Sequence, residues 1–422
     1  MNTLDHNWML AEDAFLPQRD LLLDECRMTR RFNQLLAKHT TLSVNSCTRL
    51  RTKYRVGVSL RVLYRVEIAN RSHFIAARAF PTNRETQCLD FASGDGEVPS
   101  VFQDGRTRTV FWRFPNDRKI KHLDSLINIP SELSKIGNET WVTSRVVAHA
   151  PEKSVTAQCL NPQGNVVAYA KIYSTSENQR IRATYDSIRK GLEQNELNPA
   201  VPSVLAHAED KNLLLLEAIE GRPLNTAASE TIYSELGSAL ARLHQIELNA
   251  SLPTFNRLTP KHLNDAAWTI ARARPDVGWN VSELARILNS TYTINEAAVV
   301  LHGDVHAKNF LVKDFKVALI DLDQAGLGPA AADLGSFLAS LHYDECIGQL
   351  NTAQRSAFER AFLCGYERVR PLPEHQSLTW HTAAALVAER AYRSVNRIRV
   401  EGLLHLSDVL KRAAEILNLR PI

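Results

Sequence analysis

The stretch from Ala298 to Asp323 constrains the fold more than any other part of this 422-residue chain. It contains three short apolar runs, each typical of a buried strand, at 299–301, 310–312 and 317–320. Asp304, Asn309 and Asp321 stand beside the ends of these runs. Two hydrophobic strands joined by a hairpin would hold all three polar side chains at one edge of a small sheet.

This edge offers carboxylate and amide oxygens but no sulfur, and its only nitrogen ligands are histidines. Hard oxygen donors suit Mg²⁺ better than zinc. A carboxylate that does not bind the metal could accept a proton from an attacking hydroxyl. Phosphoryl transfer needs this division of labour, because metal and cations handle the charge while an Asp orients the nucleophile. The alternative interpretation is a hairpin that happens to end in acids.

The pattern His302-Gly303-Asp304, with Asn309 five residues after the aspartate and Asp321 after the third apolar run, resembles the aminoglycoside phosphotransferase and choline kinase family. Protein kinases carry His-Arg-Asp and Asp-Phe-Gly at these places. Gly in place of Arg, and Asp-Leu-Asp at 321–323, resemble the small-molecule kinases of that fold. The segment after this motif, through Asp333, resembles the next part of the family as well, and we expect Asp333 to brace the catalytic loop.

The resemblance covers roughly residues 141–400 and implies an α+β, protein-kinase-like bilobal fold. Residues 141–220 would form the antiparallel-sheet N-lobe, and residues 221–422 the mostly helical C-lobe with the catalytic loop. Helices are predicted at 176–197, from 229 onward, and at 331–343, 352–367 and 377–416.

Residues 1–140 lie outside the resemblance, and we expect an extra N-terminal α+β domain that caps the acceptor cleft. Its hairpin at 48–81 is close to alternating in polarity. Ala77-Arg-Ala-Phe80 aligns with Ala170-Lys-Ile-Tyr173 in the N-lobe. Two interpretations stay open, a degenerate copy of the N-lobe sheet and a convergent pair of hairpins.

By the resemblance, Lys171 contacts the α- and β-phosphates of the nucleotide and pairs with an acid on the following helix, for which we choose Asp186. The alternative for Lys171 is a solvent contact on an edge strand. The phosphate-covering loop has no glycine between His149 and Ser154. Glycine lets backbone N–H groups approach phosphate closely, so Lys153 and Ser154 are expected to supply side-chain contacts instead.

The apolar strand that ends near Gly221 resembles the hinge of the family, so Glu217 and Ile219 are predicted to contact the nucleotide. The resemblance also makes Asp304 the proton acceptor.

Asn309 and Asp321 are the Mg²⁺ ligands that the resemblance implies. Asp323 either reaches a second metal ion or braces the loop. Lys308 either neutralises the γ-phosphate or is a solvated lysine.

The helical lobe must supply the acceptor site. Arg390, Arg393 and Arg397 are spaced three and four residues apart, which predicts one helix face. A basic stripe suits a phosphorylated or carboxylated acceptor through bidentate contacts, whereas a polycationic aminoglycoside calls for acids. The alternative is a solvated basic face. We expect a sugar, sugar phosphate or other polar metabolite as acceptor, with His306 as a further contact.

Composition excludes several other classes of protein. A net charge of +4 is small for this length and does not indicate nucleic-acid binding. The six cysteines are scattered, which argues against structural zinc and a disulfide framework and for a reducing cytoplasm. No apolar run approaches 18 residues, so we expect neither secretion nor a membrane span.

We therefore predict a cytoplasmic phosphotransferase that uses ATP or GTP with Mg²⁺ and acts on a small hydroxyl compound. A catalytically weak, pseudokinase-like binding or scaffold module is the first alternative, because the phosphate loop lacks glycine. A nucleotidyl transferase or protein-directed transferase on the same fold is the second.

Overall fold

Two five-stranded sheets dominate the first half of the chain in the computed structural model. The structure describes residues 9–82, 98–175, 177–193, 197–224, 228–247, 252–254, 258–292 and 296–419. Two units can be distinguished. The first comprises Met1–Asn178, Leu205–Leu216 and Asn396–Ile398, and the second comprises Gln179–Val204, Glu217–Val395 and Arg399–Ile422.

The N-terminal part of the first unit is an antiparallel sheet with two short helices, α1 (Arg19–Leu23) and α2 (Glu25–Leu36). Its strands are β1 (Val44–Arg55), β2 (Ser59–Ile68), β3 (Arg71–Ala79), β4 (Val101–Asp104) and β5 (Thr109–Arg113). Asp24 caps α2 by accepting the backbone N–H of Arg27. Phe32 on α2 packs edge-on against the rings of Tyr64 and Phe111, so an aromatic cluster joins helix and sheet.

The second sheet of this unit follows a small ribbon of β6 (Lys135–Ile136) and β7 (Glu139–Thr140). It contains β8 (Thr143–Ala150), β9 (Ser154–Leu160), β10 (Val166–Tyr173), β11 (Val204–Ala208) and β12 (Leu213–Glu217). Alternate residues of β9 are buried, as expected for a strand with one face on the core. Ile120, Leu123 and Trp141 pack into the same core, so the predicted boundary at residue 140 falls within one hydrophobic cluster.

The two sheets share one strand order. The first runs β1-β2-β3-β5-β4 and the second, read from its other edge, runs β8-β9-β10-β12-β11. Their registers agree as well. Tyr54 and Ala79 both pair with Leu60, just as His149 and Ile172 both pair with Val155.

The second unit is mostly helical. Its helices are α3 (Asn178–Leu192, which starts at the end of the first unit), α4 (Glu230–Leu243), α5 (Pro260–Ala273), α6 (Gly278–Ser290), α7 (Ala330–Cys346), α8 (Thr352–Glu367), α9 (His375–Ala385), α10 (Tyr392–Asn396), α11 (Val400–Leu404) and α12 (Leu406–Ile416). Glycines allow α4 and α8 to approach closely, since a Cβ on Gly237 would overlap the carbonyl oxygen of Phe362. A capping box of Asn351 and Gln354 begins α8.

Short strands carry the motif. β13 (Arg222–Pro223) precedes α4, whereas β14 (Ala298–Leu301), β15 (Phe310–Lys313), β16 (Lys316–Leu319) and β17 (Gly326–Pro329) lie between α6 and α7. β15 and β16 form an antiparallel hairpin, and β13 pairs with the other edge of β15. β14 pairs with β17 in a separate two-stranded sheet. The three strands predicted from the apolar runs are therefore present.

The α+β prediction is confirmed, with antiparallel sheets in the first unit followed by a mostly helical second unit in the order expected of a protein-kinase-like fold. The single helix predicted over 377–416 is wrong. The chain forms a π-helical turn at Leu386–Ala391 and leaves the helix after Asn396, where Ile398 adopts a left-handed conformation. Among the described residues, no helix combines the length and the apolar character that crossing a membrane requires.

Candidate active site

Asp304 lies in the turn that leaves β14, and its side chain is 15% exposed. Two side chains, those of Arg393 and His306, face its carboxylate. Arg393 Nη2 lies 3.3 Å from Oδ1 and His306 Nε2 lies 3.4 Å from Oδ2. The turn needs Gly303, because φ at this position is +76°, a conformation that side chains disfavour. The result is an accessible carboxylate that is held in place at the end of a buried strand.

Asn309 connects the two halves of the motif. Its side-chain Nδ2 donates to the backbone carbonyl oxygen of Asp304 at 2.9 Å, and its backbone carbonyl oxygen accepts the N–H of Ile320 at 3.0 Å. Asn309 is buried, and the bond from Nδ2 fixes the orientation of its side-chain amide. Because the nitrogen is used by the backbone, the amide oxygen is the atom left to bind a cation.

The imidazole of His302 also connects the turn that carries Asp304 to the end of β16. Its ring is fully buried, with Nε2 3.0 Å from the carbonyl oxygen of Ile320 and Nδ1 3.4 Å from the N–H of Asp304. A neutral ring with its proton on Nε2 satisfies both contacts. The turn that carries Asp304 is thereby connected to the residue that precedes Asp321.

Asp333, in the first turn of α7, braces the catalytic loop from below, as the sequence predicted. Its carboxylate accepts the N–H of His302 at 2.7 Å and that of Gly303 at 3.0 Å, and it is only 1% exposed. His244 at the end of α4 donates to the same carboxylate at 3.2 Å, and Tyr366 in turn contacts His244 at 2.9 Å. A buried chain of hydrogen bonds thus joins three helices to the loop.

Asp321 is followed by a short 3₁₀ turn, Leu322–Gln324, and has a left-handed backbone with φ of +61°. The buried hydroxyl of Tyr185 on α3 accepts the N–H of Leu322 at 3.0 Å. The structure therefore fixes the backbone between Asp321 and Asp323 from α3. Asp321 and Asp323 are both partly exposed.

The predicted basic helix face is wrong. Arg390 lies in the π-helical turn, is 6% exposed and donates to the carbonyl oxygen of Ser336 at 2.7 Å, so it belongs to the helix core. Burial lowers the pKa of Arg390. Arg397 follows the end of α10 and does not lie on that helix. Arg393 contacts Asp304 at 3.3 Å and also lies 3.9 Å from Glu389.

The remaining residues of the loop differ in exposure. His306 is partly exposed beside Asp304, where it can contact an acceptor. Lys308 is exposed in the 3₁₀ turn Ala307–Asn309, so its two predicted roles both stay open.

The residues predicted to bind nucleotide lie on β10, on α3, at the turn between β8 and β9 and at the end of β12, and their contacts with a nucleotide stay predictions. Lys171 is buried near the end of β10, with Nζ 5.5 Å from the centre of the Tyr173 ring. A buried position excludes the alternative of a solvent contact on an edge strand, since β10 lies between β9 and β12. Lys153 is exposed and Ser154 partly exposed at the turn between β8 and β9.

Asp186 lies on α3 with its side chain 56% exposed, and Arg182 is 3.6 Å from it. Its pairing with Lys171 stays a prediction. Glu217 ends β12, and its carboxylate accepts the hydroxyl and the N–H of Ser203. Ile219 follows in the partly exposed segment after the strand.

Sequence reasoning missed four residues that position the site: Tyr185, His244, Glu389 and Tyr366. Tyr185 shares a helix face with Ile181 and Ile188, and this spacing predicts a core residue with no sign of its bond to the catalytic hairpin. His244 follows an amphipathic helix, where its ring could not be distinguished from a surface histidine.

Comparison with known proteins agrees with this motif. Residues 167–372 match the model of the phosphotransferase enzyme family, APH, a segment that contains Lys171, Asp304, Asn309 and Asp321. The methylthioribose kinase of Geobacillus kaustophilus is 33% identical over 122 residues, which are 28% of this chain and 26% of that protein. The enzyme of Geobacillus thermodenitrificans is 33% identical over 96 residues, or 23% of this chain and 20% of that protein. The matches thus span about a quarter of these relatives.

Two solved structures are similar to part of this chain at low identity. Spectinomycin phosphotransferase in complex with ADP and spectinomycin has a TM-score of 0.49 and 14% identity, covering 67% of this chain and 95% of that one. Choline kinase from Cryptosporidium parvum has a TM-score of 0.48 and 13% identity, covering 70% and 93%. The family match over residues 167–372 confirms the resemblance seen in the sequence.

Proposed function

We propose that this protein is an ATP-dependent phosphotransferase that moves the γ-phosphate to a hydroxyl of a small polar metabolite, a sugar or sugar derivative. GTP is the other nucleotide that the site could take. The carrying observation is the Asp304–Asn309–Asp321 motif, which hydrogen bonds from His302 and Asn309 hold together. The local similarity to methylthioribose kinases favours a sugar-like acceptor.

Asp304 is the proposed proton acceptor. As the acceptor oxygen bonds to the γ-phosphorus, the hydroxyl proton passes to the Asp304 carboxylate, and the bond from phosphorus to the leaving ADP oxygen breaks. Arg393 holds this carboxylate from one side and His306 from the other. Arg393 is also the residue that could contact an anionic acceptor, whereas Arg390 is used by the helix core.

Asn309, Asp321 and Asp323 are the proposed Mg²⁺ ligands. The donor set fits the ion, since it consists of one amide and two carboxylates, and the Asn309 amide is oriented by its bond to Asp304. Bound Mg²⁺ would neutralise charge on the nucleotide phosphates. The left-handed backbone of Asp321 and the Tyr185 bond to Leu322 hold the two acids in fixed places.

Lys171 is proposed to contact the α- and β-phosphates, with Asp186 as its acidic partner. Lys153 and Ser154 contribute at the glycine-free turn, and Lys308 faces the γ-phosphate. Glu217 and Ile219 are proposed hinge contacts to the nucleoside.

Product analysis tests this function directly. The protein is incubated with ATP, Mg²⁺ and a panel of sugars, amino sugars and sugar phosphates, including 5-methylthioribose. Release of ADP that depends on one acceptor is the expected result. Pyrophosphate as the product would instead indicate a nucleotidyl transferase, and the absence of both turnover and nucleotide binding would favour the scaffold alternative.

A further inference from the structure

Three arginines of the first unit meet at one carboxylate. Glu152, in the turn between β8 and β9, lies 3.3 Å from Arg61 Nη1, 3.2 Å from Arg78 Nη1 and 2.9 Å from Arg118 Nε. Arg61 also donates to the carbonyl oxygen of Pro151 at 3.0 Å. Arg61, Arg78 and Arg118 of the N-terminal part thus hold the turn that was predicted to cover phosphate.

The charges of this cluster do not balance. Three guanidinium groups share one carboxylate, and the second nearby acid, Asp117, is engaged by His149 and by the backbone N–H groups of Lys119 and Glu152. Burial lowers the pKa of Arg78 to about 10; Glu152 opposes this shift, and the charges of the neighbouring arginines add to it. Burying uncompensated positive charge is costly unless an anion accompanies it.

Unpaired polar atoms also indicate that an anion belongs in this cluster. Among the described residues, Arg61 Nε, Arg78 Nε and His149 Nδ1 are buried without a hydrogen-bond partner. Buried polar groups in proteins are nearly always paired, and an absent ion is one recognised reason when they are not. The side chains of Arg61, Arg78 and Arg118 remain 16%, 18% and 26% exposed, so solutes can reach the cluster.

Arg78 occupies the position in the first sheet that Lys171 occupies in the second. Arg78 pairs with Arg61, the third residue of β2, as Lys171 pairs with Thr156, the third residue of β9. Each cation therefore stands at the same register position of the third strand in its own sheet. The first sheet keeps a cation where the second sheet carries its predicted phosphate ligand.

We propose that Arg61, Arg78 and Arg118 form a binding site for a phosphate group beside the turn 151–153. Guanidinium groups bind phosphate oxygens through charge-assisted, bidentate contacts, which are the contacts these side chains can supply. The phosphate belongs either to the nucleotide or to a separate phosphorylated metabolite. The site does not depend on the proposed transfer reaction.

Thermal unfolding of the full chain tests the site, with inorganic phosphate against sodium chloride at equal ionic strength. Phosphate should raise the Tm of the wild type by about 2–5 °C near saturation. The rise should vanish in Arg61→Gln/Arg78→Gln. It should persist in Arg65→Gln/Arg71→Gln, which removes the same charge from exposed positions of β2 and β3. An equal rise in both double variants, or none in the wild type, would overturn the proposal.

Glu152→Gln provides a second readout. Without its carboxylate the three arginines repel one another, so the Tm should fall, and phosphate should restore part of the loss. A Tm that phosphate does not restore would count against the site.

Calorimetric titration of phosphate with and without saturating ADP identifies the molecule that supplies the phosphate group. Binding that ADP blocks indicates the nucleotide, and binding that ADP leaves unchanged indicates a separate metabolite. Turnover that survives in Arg61→Gln/Arg78→Gln while phosphate binding is absent from the wild type would refute this site alone.

Discussion

Arg393 is the side chain that most directly constrains Asp304. The 3.3 Å contact and the nearby Glu389 hold the guanidinium at the proposed base. Hydrogen bonds to charged groups contribute about 1.5–3 kcal/mol. Such a bond matters for catalysis when it sets the geometry of attack.

Arg393→Gln should therefore lower kcat/KM by roughly ten- to a hundredfold with little change in stability. Steady-state kinetics measures the effect, with Arg360→Gln on the exposed side of α8 as the matched control. Activity equal to the control would show that Arg393 does not position the base.

The sequence predicted the strands and turns of the hairpin well, because strand ends, turn residues and spacing are local properties, and the chemical roles of Asp304, Asn309 and Asp321 stay predictions. It did not predict the residues that hold them. Tyr185 and His244 lie far away in the chain, at 137 and 89 residues from the groups they contact. Such partners are set by packing, which a single sequence does not reveal.

The helix predicted over 377–416 illustrates the limit at the scale of elements. Its periodicity is correct in parts, and α9 and α12 form where expected. The π-helical turn at Leu386–Ala391 shifts the phase by one residue, so Arg390 turns inward while Arg393 faces Asp304. A spacing rule for an ideal helix could not anticipate this shift.

The contact between α4 and α8 gives an element-scale prediction. Gly365 faces the carbonyl oxygen of Ser234, and Ser238 donates to the carbonyl oxygen of Gly365 at 2.9 Å. A Cβ at Gly365 would overlap Ser234, so Gly365→Ala should lower the free energy of unfolding by about 3 kcal/mol.

Urea denaturation measures this loss. Gly278→Ala is the control, because a Cβ there meets only ordinary contacts with Ala271. A change of less than about 0.5 kcal/mol for Gly365→Ala would mean that the two helices can separate without cost.

At the scale of the whole molecule, the pH dependence of stability has a definite contributor. Burial raises the pKa of Asp344 to about 6, in spite of Arg390 and Arg399. The folded state therefore binds more protons than the unfolded state between about pH 4 and 6, and Asp344 costs stability as the pH rises through this range.

Asp344→Asn should raise the free energy of unfolding by about 1–3 kcal/mol above pH 6, and the gain should disappear near pH 4. Urea denaturation between pH 4 and 7 follows it, with the exposed Asp408→Asn as the control. Burial also lowers the pKa of His342 to about 4, but this histidine is present in the wild type and in Asp344→Asn, so its effect cancels in the difference between their unfolding free energies. A gain that is constant with pH would contradict the assignment.

The shared strand order and register of the two sheets also belong to this scale. We propose that the sheet formed by β1 to β5 repeats the sheet formed by β8 to β12. The similarity in sequence is confined to a few positions, such as Arg78 and Lys171. The support for a repeat is therefore the shared strand order and register of the two sheets.

The role of Asp304 is the central claim, and Asp304→Asn tests it most directly. The substitution keeps the shape of the side chain but removes its ability to take a proton. With the acceptor that supports ADP release, turnover should fall by at least about a thousandfold, while nucleotide affinity and the unfolding midpoint stay close to wild type. Turnover near the wild-type rate would contradict the account, because the proton acceptor would then have to be another group.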